Sequence, residues 1–240
     1  MFPIDKFQDL STPFYYYDTT LLRETLLQIR ENLSANMHVH YAVKACANPK
    51  ILSIIAQEGF GADCVSGGEI EAALQAGFPA NKIVYAGVGK SDKEIKTALE
   101  AGIFSFNCES VPEVKVINDL AAGMGKVAKI ALRINPDIDA HTHKYVTTGL
   151  YENKFGISQH EFDKLIDVIK KSEHINFIGL HFHIGSQITR VEEVFGLECR
   201  RVNDIVAYFE RKGLKVNNIN LGGGLGVDYD DPDENLIPDF

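Results

Sequence analysis

Several short stretches of the chain set reactive side chains beside small ones at strand-like spacing. In HYAVKACANP, period-2 alternation puts His40, Ala42 and Lys44 on one face of an apolar run. Small Ala42 leaves room for a long side chain to point inward. A lysine in a low-polarity cleft has a depressed pKa, and its free amine attacks aldehydes; the same lysine at a strand end could simply reach solvent. Arg133 stands among apolar neighbours in KIALRIN. It keeps its charge, so burial demands a carboxylate, phosphate or phenolate partner, in a structural ion pair or in a ligand. GLHFHIGSQ puts His181 and His183 on one face with Phe182 opposite, ahead of Gly185 and Ser186. Such a pair could ligate zinc, as could His141 and His143, but no spacing supplies a third ligand and no metal is expected. A histidine flat against a ring, followed by a Gly-Ser turn whose amides and hydroxyl meet a phosphate, uses the geometry better. INLGGGLG sets Gly222, Gly223 and Gly224 side by side, either to bring backbone N–H groups close to an anion or as a permissive turn. Asp63 in GADCVSGGE could orient a base, bind a substrate amine or cap its loop; Lys154 in NKFGI could equally be a surface lysine.

These residues fall at the ends of regularly spaced apolar runs, read as strands Val39–Lys44, Gly61–Val65, Ile83–Gly87, Ser105–Cys108, Lys129–Asn135, Asn176–Ile184 and Asn218–Gly222. Amphipathic segments lie between, such as Ser91–Gly102 with Ile95, Ala98 and Leu99 on one side. Ser66/Glu69, Ser91/Glu94, Ser110/Glu113, Ser158/Glu161 and Thr189/Glu192 match a capping box, and Asn48-Pro49 offers a further helix start. Gly59, Gly77, Gly102, Gly123 and Gly213 are placed to end helices. The first four strands start 22 residues apart, a spacing that suits a (β/α)8 TIM-type barrel, with chemistry at the C-terminal strand ends. An open doubly wound sheet would carry a glycine-rich turn after its first strand, and HYAVKACANP has none. Seven strands are expected; the 16 residues after Gly224 are too few for a helix, an eighth strand and its helix, and the last stretch, DYDDPDENLIPDF, acidic and Pro-bearing, reads as a loop. The barrel is therefore expected to be incomplete, in the N-terminal part of a longer protein. Thr12–Asp18 reads as a strand and Thr20–Asn32 as a helix, so residues 1–35 lead into a barrel over 36–240.

Composition bounds the partners. The 240 residues carry 24 Lys+Arg against 33 Asp+Glu, a formal charge of −9, which gives no reason to expect nucleic acid or an acidic membrane surface. Hydrophobic residues make up 45%, as in an ordinary globular protein. No stretch approaches a membrane span, and the N-terminus has no apolar signal segment. Four cysteines without a CxxC pair favour a reducing compartment, so a cytoplasmic protein is expected.

Together the segments resemble the fold-type III pyridoxal-phosphate decarboxylases, from about Thr12 to Gly226 and in the family's order. YAVKAC is similar to the motif of the lysine that carries the cofactor, here Lys44, with Cys46 where asparagine is usual. By the same resemblance His183 stacks on the pyridine ring, Ser186 and Gly222, Gly223 and Gly224 bind the phosphate, and Asp63 and Glu69 take the acidic positions near the cofactor. RINPDIDAHTHKYVTTG and KFGI, with Arg133 and Lys154, are similar to the diaminopimelate branch. That branch implies pyridoxal 5'-phosphate as cofactor and loss of the D-centre carboxylate of meso-2,6-diaminopimelate to give L-lysine. Ornithine, arginine and carboxynorspermidine decarboxylases, and pyridoxal-phosphate carriers without turnover, are the rival readings. The family also implies a homodimer, a Glu-Pro-Gly-Arg strand whose acid meets the pyridine nitrogen, and a C-terminal β domain with a Cys-Glu-Ser motif. Neither the Glu-Pro-Gly-Arg strand nor the C-terminal β domain falls within the 240 residues, so the chain alone is expected to be nearly inactive.

Overall fold

A computed structural model describes residues 4–136 and 155–230. The chain divides into two compact units, Met1–Met37 and His38–Asp239. In the first, a helix α1 (Thr19–Glu31) starts at Asp18, whose carboxylate accepts the N–H groups of Thr20 and Leu21. The strand expected over Thr12–Asp18 is absent: no neighbour among the described residues supplies a ladder, and extended chain without one is not a strand.

The second unit holds a seven-stranded sheet in the order β1 to β7, every pairing parallel, curled into an incomplete barrel. Its strands are β1 (His40–Ala42), β2 (Gly61–Cys64), β3 (Ile83–Tyr85), β4 (Ser105–Cys108), β5 (Ala128–Arg133), β6 (Ile175–His181) and β7 (Asn218–Asn220). Between them run α2 (Pro49–Gln57), α3 (Gly67–Gln75), α4 (Asp92–Ala101), α5 (Val111–Gly123), α6 (Phe162–Lys171) and α7 (Val191–Arg211).

The local signals work where their hydrogen bonds form. Ser66, Ser91 and Ser110 each accept the N–H of the glutamate three residues on, and Asn48 accepts that of Lys50. Only Ser91/Glu94 closes both halves of the box. Ser158 leads instead into a 3₁₀ turn at Gln159–Glu161, and α7 starts after Arg190; neither start has a side-chain cap. Gly123 remains inside α5, and Gly125 takes the left-handed conformation in its place.

Register sorts the side chains into two faces, because residues paired across parallel strands point the same way. One face carries Ala42–Asp63–Val84–Ser105, then Asn107–Ala131–Gly179–Asn218, then Arg133–His181–Asn220. The other carries Ala62, Ile83, Phe106, Ile130, Leu132 and Leu180, all 2% exposed or less. That apolar layer, with α3 and α5 against it, is the core. The first face is polar and small, so it is a lining rather than a packed interior.

Candidate functional site

All strands being parallel, their C-terminal ends lie at one rim, and the sequence candidates collect there. β1 ends at Ala42, and Lys44 lies in a 3₁₀ turn over Val43–Ala45 that feeds the Asn48-Pro49 start of α2. The strand alternation expected to carry Lys44 inward therefore stops two residues early, and Lys44 is exposed at the rim rather than sunk in an apolar cleft. Its charge still reaches Asp63. Burial raises the Asp63 carboxyl to about 6, with the Lys44 and Arg133 cations pulling against the rise and Glu69 adding to it. Asp63 Oδ1 is buried without a hydrogen-bond partner. Glu69 itself accepts the N–H of Val65 at 2.8 Å and steadies the β2–α3 turn.

Arg133 ends β5 with its side chain 14% exposed. Its partner is a carboxylate: Nη1 donates to Oε1 and Oε2 of Glu109 at 2.8 and 3.1 Å. Nε and Nη2 make no hydrogen bond to a described residue. Next to it across the ladder, His181 is buried, with Nδ1 unpartnered. Burial, then the charges of Arg133, His183 and Lys90, hold its pKa down to about 3, so the imidazole is neutral.

His183 follows on the loop, half-buried, and its Nδ1 accepts the Gly223 N–H at 3.4 Å. The glycine run divides its work. Gly222 and Gly224 have φ of +75° and +98°, and a Cβ on either would drive into the carbonyl oxygen of Phe182 or Gly185. Gly223 is exposed, with open space where a Cβ would stand. The Gly222 N–H is taken by Asn220 Oδ1 at 2.8 Å and the Gly223 N–H by His183, so two of the run's three amides are already engaged. Ser186 lies exposed on the facing loop. The two loops are fastened by Gln187, whose amide exchanges two 2.9 Å bonds with the backbone of Val227, and by the Ile188–Leu225 bridge. Lys154, His141 and His143 lie outside the described residues.

Sequence reasoning missed Glu109, Asn107, Lys90 and Gln187. Glu109 and Lys90 carried a readable signal, since each directly precedes a helix-capping serine after a strand, at the rim where Asp63 also sits. Asn107 was hidden inside the short strand Ser105–Cys108, and its Nδ2 is buried without a partner.

The lining thus holds orphaned polar atoms on three strands, Asp63 Oδ1 on β2, Asn107 Nδ2 on β4 and His181 Nδ1 on β6, beside a guanidinium with two unused nitrogens. Buried polar groups are otherwise paired in folded proteins. An open glycine and a serine stand at the same rim. These residues fit a polar aromatic aldehyde that bears a phosphate: an amine for the aldehyde, donors and acceptors for the ring substituents, amide and hydroxyl for the anion.

Residues 20–237 match the family model for the pyridoxal-binding domain of the pyridoxal-dependent decarboxylases. A diaminopimelate decarboxylase of Bacteroides thetaiotaomicron is 58% identical over 242 residues, covering 100% of this chain and 62% of that protein. One of Aquifex aeolicus is 38% identical, covering 96% of this chain and 54% of its own length. The crystal structure of the Helicobacter pylori diaminopimelate decarboxylase complexed with L-lysine superposes with a TM-score of 0.85 at 41% identity, over 95% of this chain and 58% of that one. The chain thus spans less than two thirds of the curated relatives it matches. No helix among the described residues is long and apolar enough to cross a membrane. The chain belongs to the pyridoxal-dependent decarboxylases, and its unfinished barrel is that family's pyridoxal-binding domain.

Proposed function

We propose that the protein bearing this chain removes the D-centre carboxylate of meso-2,6-diaminopimelate, giving L-lysine and carbon dioxide. The observation that carries the reading is the polar lining with unpartnered Asp63, Asn107 and His181 atoms, on strands that lie in sheet order between β1, which leads to Lys44, and β7, which leads to the glycine run. Bound pyridoxal 5'-phosphate supplies an electron sink for the pair released when the carboxylate leaves. The chain's residues hold and orient. Lys44 Nζ would hold the cofactor's aldehyde and, as a free amine, could carry the proton returned to the substrate Cα, a role it would share with or yield to a cysteine from the part of the relatives this chain does not span. Asp63, a carboxylate at neutral pH with its pKa near 6, offers the Lys44 ammonium a counter-charge. His183, its ring fixed through Gly223, braces one face of the pyridine. Ser186 and the Gly222–Gly224 loop take the phosphate, and the unused edge of Arg133 takes an anionic oxygen. A homodimer, with active-site groups contributed from the part of the relatives this chain does not span, and a cytoplasmic location belong to the same reading.

The substrate is tested by measuring carbon dioxide release from meso-2,6-diaminopimelate, L-arginine and L-ornithine by the full-length protein loaded with cofactor. Turnover should be confined to the first. Borohydride reduction should leave the phosphopyridoxyl group on Lys44, and Lys44→Ala should lower turnover at least about a hundredfold. A label on another lysine, or turnover of arginine or ornithine alone, sinks the proposal.

A further inference from the structure

Beside the lining lies a closed set of charges, of which only Arg133 has a role above. Lys90 Nζ, in a side chain 1% exposed, bonds Glu113 Oε1 at 2.6 Å and the carbonyls of Gly87 and Asn107 at 2.6 and 3.0 Å. Glu113 accepts the backbone N–H of Glu109 through its other oxygen at 2.7 Å. The Glu109 carboxylate accepts the Gly87 N–H at 3.3 Å and both bonds from Arg133 Nη1. Two cations and two anions thus bind one another and the strand ends of β3, β4 and β5, which leaves Glu109 fixed at its main chain and at its carboxylate. A buried carboxylate held this way cannot follow a moving guanidinium; the guanidinium must stay with it.

Glu109 also takes a single nitrogen of Arg133, although a side-on pairing through two nitrogens is the stronger arrangement. The Phe155 ring, 5.5 Å from Arg133 Cζ, bounds the guanidinium further. Nε and Nη2 are left to the face that carries His181 and feels Asp63. We infer that Glu109 is a positioning residue: by clamping Arg133 through Nη1, with Lys90 and Glu113 as its anchor, it aims the other guanidinium N–H groups at an anionic oxygen of the cofactor. The inference rests on the reading of Lys44 as the cofactor lysine.

The test is a double-mutant cycle on cofactor affinity, in the full-length protein stripped of cofactor and titrated with pyridoxal 5'-phosphate by visible absorbance. Glu109→Gln and Arg133→Lys should each raise Kd at least about tenfold, and the double variant should bind within about twofold of Arg133→Lys. Unchanged affinity in Glu109→Gln, or losses that multiply in the double variant, overturns the inference. Gln leaves a buried positive charge unmatched, so Glu109→Asp, which keeps the charge and shortens the reach, runs the same cycle under the same criteria and decides it where Gln does not fold. Failure of the wild type to carry the cofactor on Lys44 would instead overturn the underlying reading.

Discussion

Glu198 is a carboxylic acid on the inner side of α7, 0% exposed, in line with Val202, Ile205 and Phe209. Neither oxygen has a hydrogen-bond partner, and burial raises its pKa to about 7. A carboxyl that ionises near 4.5 when unfolded and near 7 when folded keeps its proton in the fold. Stability therefore falls as pH rises through that window, and the whole cost is present above it. Glu198→Gln removes the ionisation. The melting temperature of the variant, relative to wild type, should climb by a few degrees between about pH 4.5 and 7 and then level off. A difference that stays flat with pH means the carboxyl is not desolvated. Nothing in VEEVFGLECRR marks this glutamate out, since its burial depends on which side of a long helix meets the sheet. Lys44 was legible as a chemical group because a lysine among small residues is unusual. Its exposure was not, because a three-residue 3₁₀ turn interrupts the alternation without altering composition.

At the scale of elements, the glycine run separates packing from binding. Gly224→Ala forces a side chain into the Gly185 carbonyl at a φ of +98°, and should cost about 2 kcal/mol or more while unfastening the loops joined by Gln187. Gly223→Ala meets open space, so stability should stay within about 0.5 kcal/mol while phosphate binding weakens under the added methyl. Denaturant melts and cofactor titrations of the two variants check both halves; equal destabilisation would mean that Gly223 also packs. The strand–helix order was readable because the strands recur at regular spacing between amphipathic segments and several turns carry their own hydrogen-bonding residue. Asn48, Ser66, Ser91 and Ser110 cap as their types require, since an N-cap is a local bond. Thr189 does not: the chain from Gly185 to Gly226 is organised by loop-to-loop bridges at Ile188, and these outweigh a local preference. The Glu109–Arg133 pair was beyond sequence reasoning for the same reason, being a contact across 24 residues.

The whole molecule is shaped by a lining that cannot pack on itself. Barrels of this kind ordinarily fill their interior with branched apolar side chains. Here Asp63, Ser105, Asn107, Arg133 and His181 occupy those positions, so burial on this side is useful only with a ligand present. The sheet also ends in two strands, β1 and β7, that each have one neighbour among the described residues. On the free side of each, N–H and C=O groups have no ladder among the described residues, and Ile219 in β7 and Leu221 just after it are 48% and 36% exposed. A single added strand would satisfy both edges, and the relatives are long enough to supply one. Without it, edges of two chains satisfy one another. These 240 residues produced alone should therefore associate as concentration rises, by light scattering, and release almost no carbon dioxide from meso-2,6-diaminopimelate. A uniform monomer at micromolar concentration, or turnover equal to that of the longer protein, would mean that the seven-stranded sheet closes its own edges and that the lining needs nothing more than is visible in this chain.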